Sequence, residues 1–233
     1  MIGAIAVVIP ARDESELIGR CLESVLAAKR VVEQTRQVAV LVTVVADRCT
    51  DDTADVARAF QGVTVVEIDA GNVGVARATG VLLSLEASGL LPDGVWIAST
   101  DADSAVPSGW LLEHNRLAAE GAGVVLGTVR PDRADLTTEQ AHAWASLHSG
   151  ESTAGEVHGA NLGVRADVYL AAGGFPGLPE HEDVTFVERC TAIGATIAAT
   201  DRCEVTTSGR QVGRTPGGFA RYLRDDLISD PAL

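Results

Sequence analysis

The sequence predicts an α/β fold with a mostly parallel, doubly wound central sheet flanked by helices. Short apolar runs alternate along the chain with segments whose apolar residues recur at helical spacing, which is the pattern of βαβ crossovers. The runs are continuously apolar, as expected of parallel strands buried on both faces. With 233 residues, 46% of them hydrophobic, the chain is long enough to bury the core of one such domain.

The elements follow one another in the order that this fold requires. The first strand is AIAVVI at 4–9, and the helix after it is predicted to begin at a capping box formed by Asp13 and Glu16. Further strands are predicted at 38–45, 63–68, 95–99 and 123–129, with helices at about 50–60, 72–87 and 108–120. After residue 129 the alternation stops, and the remaining predictions are helices around 138–148, up to about 172 and from 182 to before 194, and a strand at 196–200. No long linker divides the chain, so we predict one domain over 1–233.

Charge and cysteine content narrow the function classes. The formal net charge of −14 at pH 7 argues against nucleic acid or an anionic membrane surface as a partner. No apolar run is long enough to span a bilayer, so no integral membrane segment is expected. The four cysteines show no Cys-x-x-Cys pairing, which favours reduced, structural thiols in a cytoplasmic protein and argues against a zinc site.

The polar residues that end the predicted strands mark the expected binding edge, because ligands of open parallel sheets bind outside the carboxyl ends of the strands. The glycine patterns of dinucleotide-binding and P-loop proteins are absent from the sequence. Asp101 and Asp103 follow the fourth strand, and carboxylates two residues apart on extended chain can face one Mg²⁺ or Mn²⁺ ion. On spacing alone, the alternative that they only form a turn before Pro107 is equally good.

A second acidic group, His181-Glu182-Asp183, opens a predicted helix. The helix macrodipole favours carboxylates in the first turn, so a helix N-terminus is the simpler interpretation. The functional alternative is a general base that takes a proton from a hydroxyl.

Six segments together resemble the family-2 glycosyltransferases, which have the GT-A fold. In the family's order they are VVIPARDE (7–14), VVADRCTDDT (44–53), GNVGVARATG (71–80), STDADSAVPSGWL (99–111), GANLGVR (159–165) and HEDVTFVERC (181–190). The resemblance implies a metal-dependent glycosyltransferase that moves a sugar from a UDP- or GDP-sugar donor to an acceptor hydroxyl with inversion. Residues 1–130 would then bind the nucleotide-sugar, and residues 131–233 would form the acceptor half and the C-terminal segment.

The resemblance also implies roles for individual residues. Asp183 would be the catalytic base, Asp103 would ligate Mg²⁺ or Mn²⁺ directly, and Asp101 would approach both the metal and the ribose. The remaining contacts to the nucleotide-sugar would come from Pro10, Ala11, Glu14, Asp47, Arg77 and Asn161. Glu182 is expected to shape the acceptor site, and His181 to assist the acceptor or reach the metal, unless it is only a loop histidine.

The C-terminal stretch 206–227 contains Arg210 and Arg214 together with Phe219 and Tyr222. We interpret it as a segment that folds over the donor, with arginines near the diphosphate or an acidic acceptor. A solvated tail helix is equally compatible with the pattern, and contact with a second copy in a homodimer is a further alternative.

The sequence leaves open the nucleotide base of the donor and two other functions. Ala46 replaces the first of the family's paired aspartates and Arg48-Cys49 replaces Gly-Ser, so the base is open between uridine and guanosine. A sugar-nucleotide pyrophosphorylase would need a Gly-rich loop with Arg and Lys after the first strand, which PARDE does not supply. A non-catalytic nucleotide-sugar-binding module would have no need of Asp101, Asp103 and Asp183 together.

Overall fold

The computed structural model describes residues 1–147, 155–213 and 217–228. In these ranges one eight-stranded sheet forms the centre of the molecule. Its strands are β1 (Ala4–Ala11), β2 (Ala39–Asp47), β3 (Val63–Ile68), β4 (Val95–Ser99), β5 (Ser104–Ala105), β6 (Val124–Pro131), β7 (Leu162–Arg165) and β8 (Ile197–Thr207). Across the sheet their order is β3-β2-β1-β4-β7-β6-β8-β5.

Most strand pairs are parallel, which confirms the predicted sheet. β1 pairs in parallel with β2 and β4, β2 with β3, and β6 with β8. The exceptions are β7, which is antiparallel to β4 and β6, and β5, which is antiparallel to β8. The chain order reverses between β1 and β4, and such a switch point is where open α/β sheets bind ligands.

Helices cover both faces of the sheet. They are α1 (Ile18–Arg36), α2 (Thr53–Arg58), α3 (Val73–Ser88), α4 (Trp110–Ala119), α5 (Thr138–Leu147), α6 (Ala166–Ala171), α7 (Glu182–Ala192) and the short α8 (Phe219–Arg221), which continues into a π-helical turn at Tyr222–Asp226. The predicted last residue of the fifth helix, 148, lies outside the described ranges.

The two faces of the sheet bury separate cores. Buried residues of α1, α2 and α4 pack with Ile5, Val7 and Ile9 of β1, whereas those of α3, α6 and α7 pack with Ala6 and Val8. Because successive side chains of a strand point to opposite faces, the continuous apolar run of β1 serves both cores. Packing on both faces holds the strands in place, and with them the loops at their carboxyl ends.

The predicted capping box of the first helix is wrong. α1 begins at Ile18, and its cap residue makes no side-chain hydrogen bond. Asp13 instead has a left-handed backbone with φ of 50°, and its carboxylate accepts hydrogen bonds from the amide and hydroxyl of Thr50 at 2.6 and 3.1 Å. The acidic run after β1 therefore ties two loops together and does not start the helix.

The last strand is longer than predicted. β8 runs from Ile197 to Thr207, because it continues along β6 beyond an irregularity in register between Gly127 and Val129. This extension carries the chain after β8 to the carboxyl edge of the sheet.

Two further properties follow from the described residues. None of their helices is long and apolar enough to cross a membrane. All four cysteines are unpaired, and Cys21, Cys190 and Cys203 are buried, where a thiol packs as a small hydrophobe.

Candidate active site

A cavity of about 880 Å³ opens at the carboxyl edge of the parallel strands. Its walls are the loops after β1, β3 and β4, the loop before α7 and the segment after β8. The lining contains eleven of the predicted site residues: Pro10, Ala11, Glu14, Asp47, Arg77, Asp101, Asp103, His181, Glu182, Asp183 and Arg210. Arg214 lies outside the described residues.

Arg77 of α3 connects the two acidic groups of the cavity. Its guanidinium donates to Asp101 on one side and to Glu182 on the other, the latter at 2.8 Å from Nη1 to Oε1, and its side chain is only 3% exposed. Burial alone would lower the pKa of Arg77, but the Asp101 and Glu182 carboxylates outweigh burial and raise it. Since breaking a buried ion pair leaves a charge uncompensated, this arrangement holds the two acidic groups at a fixed separation.

Asp183 is oriented by the loop that precedes β7. Its Oδ2 accepts a hydrogen bond from the amide of Gly159 at 2.7 Å. A Cβ at position 159 would lie 2.3 Å from Nη1 of Arg77, so only glycine lets this loop pass over the guanidinium. The geometry presents Asp183 to the cavity next to Arg77.

The loop that leads to His181, Glu182 and Asp183 rests on the start of α3. Asn72 donates from Nδ2 to the carbonyl of Gly177 at 3.1 Å, and a Cβ at Gly74 would lie 2.0 Å from the carbonyl oxygen of Pro176. The glycine-containing helix start therefore allows close contact between two backbones.

Asp47 stabilises the neighbouring loop. Its carboxylate accepts hydrogen bonds from the amides of Ala70, Gly71 and Asn72 at 2.6 to 2.8 Å. Its predicted contact with the nucleotide base remains a prediction, whereas the backbone bonds show how the residue shapes the β3–α3 loop.

Asp101 and Asp103 lie in a turn between β4 and β5, as the turn interpretation expects. The amide of Ser104 donates to the carbonyl of Asp101 at 3.1 Å, and both aspartates also line the cavity. Burial, with the nearby charge of Asp101, raises the pKa of Asp103 to about 6. Two neighbouring carboxylates in one cavity fit a hard divalent cation, whose preferred ligands are oxygens.

Arg210 supplies positive charge to this acidic group in the structure. Its Nη1 and Nη2 donate to the two carboxylate oxygens of Glu14 at 2.9 and 2.7 Å. Its Nη2 also lies 2.7 Å from Oδ2 of Asp103. The sequence predicts that Arg210 lies near the donor, but it does not indicate Glu14 and Asp103 as its partners.

The structure corrects the assignment of Asn161 to the sugar or acceptor. The residue is fully buried and does not line the cavity. Its Nδ2 donates to the carbonyls of Thr128 and Cys203, both at 2.9 Å, and its Oδ1 accepts from the indole of Trp110 at 2.8 Å. Asn161 therefore holds β6, β8 and α4 together.

An aromatic wall formed by Trp144, Phe219 and Tyr222 was not predicted as a unit. All three residues line the cavity, with ring centroids 5.9 to 6.5 Å apart. The amide of Gly217 donates to Glu180 at 2.8 Å, which attaches the wall to the loop before α7. Phe219 and Tyr222 were visible in the C-terminal pattern, but Trp144 on α5 gave no signal of its own.

The C-terminal stretch is not a solvated tail. Leu223 and Leu227 are fully buried and pack with Ala143 and Trp144 of α5. His158 also lines the cavity, and burial lowers the pKa of its imidazole.

Asp13, Cys49 and Asp51 form a second cluster, with ligand atoms within 4.8 Å of one another. Their carboxylates accept hydrogen bonds from Thr50 and from the amides of Ser15 and Thr53. The cluster is accounted for as a loop connection.

Comparisons of this fold with solved structures identify glycosyltransferases of known fold. Crystallised residues 1–349 of TarS from S. aureus match with a TM-score of 0.64 at 14% identity, covering 89% of this chain and 61% of TarS 1–349. A mannosyltransferase from Pyrobaculum calidifontis, in complex with GDP-Man and Mn²⁺, matches with 0.63 at 18% identity, covering 91% and 58%. Glucosyl-3-phosphoglycerate synthase from Mycobacterium tuberculosis, in complex with Mg²⁺ and UDP, matches with 0.51 at 20% identity, covering 88% and 69%.

These likenesses establish the GT-A fold, and the chain spans about three fifths of the length of the first two structures. No curated protein matches the sequence. The sequence model of glycosyl transferase family 2 matches residues 6–160, which is more than half of the chain. The protein therefore belongs to glycosyltransferase family 2.

Proposed function

We propose that the protein transfers a sugar from a nucleoside-diphosphate sugar to an acceptor hydroxyl, with a divalent cation and with inversion at the anomeric carbon. The observation that carries the proposal is the ion-pair chain Asp101–Arg77–Glu182, which holds the acidic pair after β4 and Asp183 in one cavity. Solved proteins of the same fold contain GDP-Man with Mn²⁺ or UDP with Mg²⁺, which supports Mn²⁺ or Mg²⁺ and a uridine or guanosine donor here.

Asp103, with Asp101 beside it, would hold the cation. When bound, the cation would offset the negative charge that develops on the leaving diphosphate. Asp101 and Asp103 line the same cavity as Pro10 and Ala11 at the end of β1 and Glu14 in the loop after it, which supports a nucleotide site on the β1 side of the cavity.

Asp183, next to Arg77, would act as the base. Single displacement requires a carboxylate that removes the proton of the attacking hydroxyl. The amide of Gly159 fixes Oδ2 of Asp183, and Glu182 is held by Arg77, so the carboxylate at position 183 is the one oriented for proton transfer. His181, Glu180 and the aromatic wall line the space beside it, where the acceptor would lie.

Two variants test the donor and the base separately. Purified protein is assayed for release of nucleoside diphosphate with a panel of UDP- and GDP-sugars in the presence of Mn²⁺. Asp103→Ala should lose Mn²⁺-dependent donor binding in calorimetry, whereas Asp183→Asn should keep donor binding and lose transfer. Asp93→Ala, exposed at the far end of β4, serves as the control and should behave as the wild type.

Four outcomes would contradict the proposal. Full turnover by Asp183→Asn would exclude the base assignment, and unchanged Mn²⁺-dependent donor affinity in Asp103→Ala would exclude the metal site. Release of pyrophosphate from a nucleoside triphosphate and a sugar phosphate would identify a pyrophosphorylase instead. Donor binding without turnover across donors and acceptors would favour a binding module.

A further inference from the structure

The positively charged guanidinium of Arg210 lies between two acidic loops, which contain Glu14 and Asp103. It lies in the segment that follows β8, three residues beyond Thr207. Its guanidinium makes a paired contact with Glu14 and a third contact with Asp103, all between 2.7 and 2.9 Å. Paired contacts of arginine with a carboxylate are among the strongest charge-assisted hydrogen bonds.

Both oxygens of Asp103 are engaged in this arrangement. Oδ2 faces Arg210 at 2.7 Å, while Oδ1 accepts hydrogen bonds from the hydroxyls of Ser104 and Thr207 at 3.2 and 3.3 Å. A divalent cation that is ligated directly by Asp103 needs one of these oxygens. The weaker hydroxyl contacts can rearrange around an ion, but a guanidinium on the other oxygen would leave two cations within a few ångströms of each other in a site where charge is poorly screened.

Arg77 and Arg210 differ in how easily their side chains can move out of the site. Arg77 lies within α3 and is 3% exposed, whereas Arg210 lies on a loop and is 29% exposed. Arginine stays protonated at physiological pH, so Arg210 cannot give up its charge and can only move. Arg77 therefore stays as a fixed counter-charge, and Arg210 is the cation that can be exchanged.

We propose that Arg210 and the divalent cation compete for Asp103. This inference rests on the proposed metal-dependent function. Without the metal, Arg210 neutralises Glu14 and Asp103 and keeps the segment 208–213 against the first loop. A divalent cation binds as the guanidinium withdraws, so Arg210 sets the concentration of metal that the enzyme needs and couples the C-terminal segment to loading of the site.

The test measures direct binding of Mn²⁺ to the full chain without nucleotide. Binding is detected as a decrease in the electron paramagnetic resonance signal of free Mn²⁺. Arg210→Gln removes the competing charge and should bind Mn²⁺ about tenfold or more tightly than the wild type. Arg210→Lys keeps the charge but cannot make the paired contact with Glu14, so its affinity should lie between the two. The control is Arg130→Gln, which breaks an exposed ion pair of 3.2 Å with Glu204 on the same sheet and should leave Mn²⁺ affinity unchanged.

The outcomes separate this inference from the proposed function. If Arg210→Gln, with a thermal unfolding midpoint like that of the wild type, binds Mn²⁺ no more tightly, competition is refuted while Mn²⁺-dependent release of nucleoside diphosphate can still stand. If Arg210→Gln does not fold, Arg210→Lys decides the question. Tighter Mn²⁺ binding by Arg210→Lys than by the wild type supports competition, and equal or weaker binding refutes it. If no variant binds Mn²⁺ and the wild type still turns over donor without metal, the metal requirement itself fails and competition falls with it.

Discussion

Replacing Asn161 by alanine is expected to destabilise the whole protein, although the residue lies in a segment that resembles a substrate-binding motif. The Asn161 side chain spans the irregularity between β6 and β8, where its amide donates to the carbonyl of Thr128 on one strand and of Cys203 on the other. Its Oδ1 accepts from Nε1 of the fully buried Trp110. The amide thus replaces the backbone hydrogen bonds that the strands cannot make with each other there.

The magnitude follows from the three polar groups whose bonds to Asn161 are shortest, at 2.8 to 2.9 Å. These are two backbone carbonyls and one indole N–H, and a buried polar group without a partner costs about 1–3 kcal/mol. Even at the lower end of that range, the variant should lose roughly 3 kcal/mol of unfolding free energy. For a chain of this size, roughly 2–4 °C per kcal/mol gives a fall in the unfolding midpoint of about 6–12 °C.

Thermal and urea unfolding of Asn161→Ala measure this loss. Asn115→Ala, at a half-buried position on α4, is the matched control and should shift the midpoint by no more than about 2 °C. Gly127→Ala should imitate the loss, because a Cβ at 127 would lie 2.3 Å from the Asn161 amide. A normal midpoint for Asn161→Ala, combined with weaker donor binding, would refute the structural role and restore Asn161 to the binding site.

Two further predictions concern the close contact at Gly74 and the buried imidazole of His114. Gly74→Ala should lower turnover more than donor binding, because its Cβ would lie 2.0 Å from the carbonyl oxygen of Pro176 and would shift the loop that leads to Asp183 at the start of α7; wild-type kinetics in this variant would contradict that contact. Burial lowers the pKa of His114 from 6.5 to about 4, so the unfolded state takes up a proton first and stability should fall as pH decreases from about 6.5 to 4. Urea unfolding at several pH values should show a shallower loss for His114→Gln, and identical slopes in the two proteins would exclude the buried neutral imidazole as the cause.

The sequence by itself determined the fold and the edge at which the site lies. Continuous apolar runs such as 4–9 require burial on two faces, and the helical segments between the runs require crossovers, so a mostly parallel sheet follows from local pattern. The carboxyl ends of parallel strands share one edge, which is why Glu14 and Asp101 could be expected in one cavity.

The tertiary structure alone decided what several of these residues contact. Arg210 pairs with Glu14 across 196 positions of sequence, and Trp144 joins Phe219 at the cavity wall; local periodicity contains no information on such distant pairs. Asn161 follows the same reasoning, since an asparagine between Ala160 and Leu162 is compatible with a ligand contact or a backbone bridge. The difference arose from the irregular register of β6 and β8, which left two carbonyls for its amide, and register between distant strands is set by packing of the complete sheet.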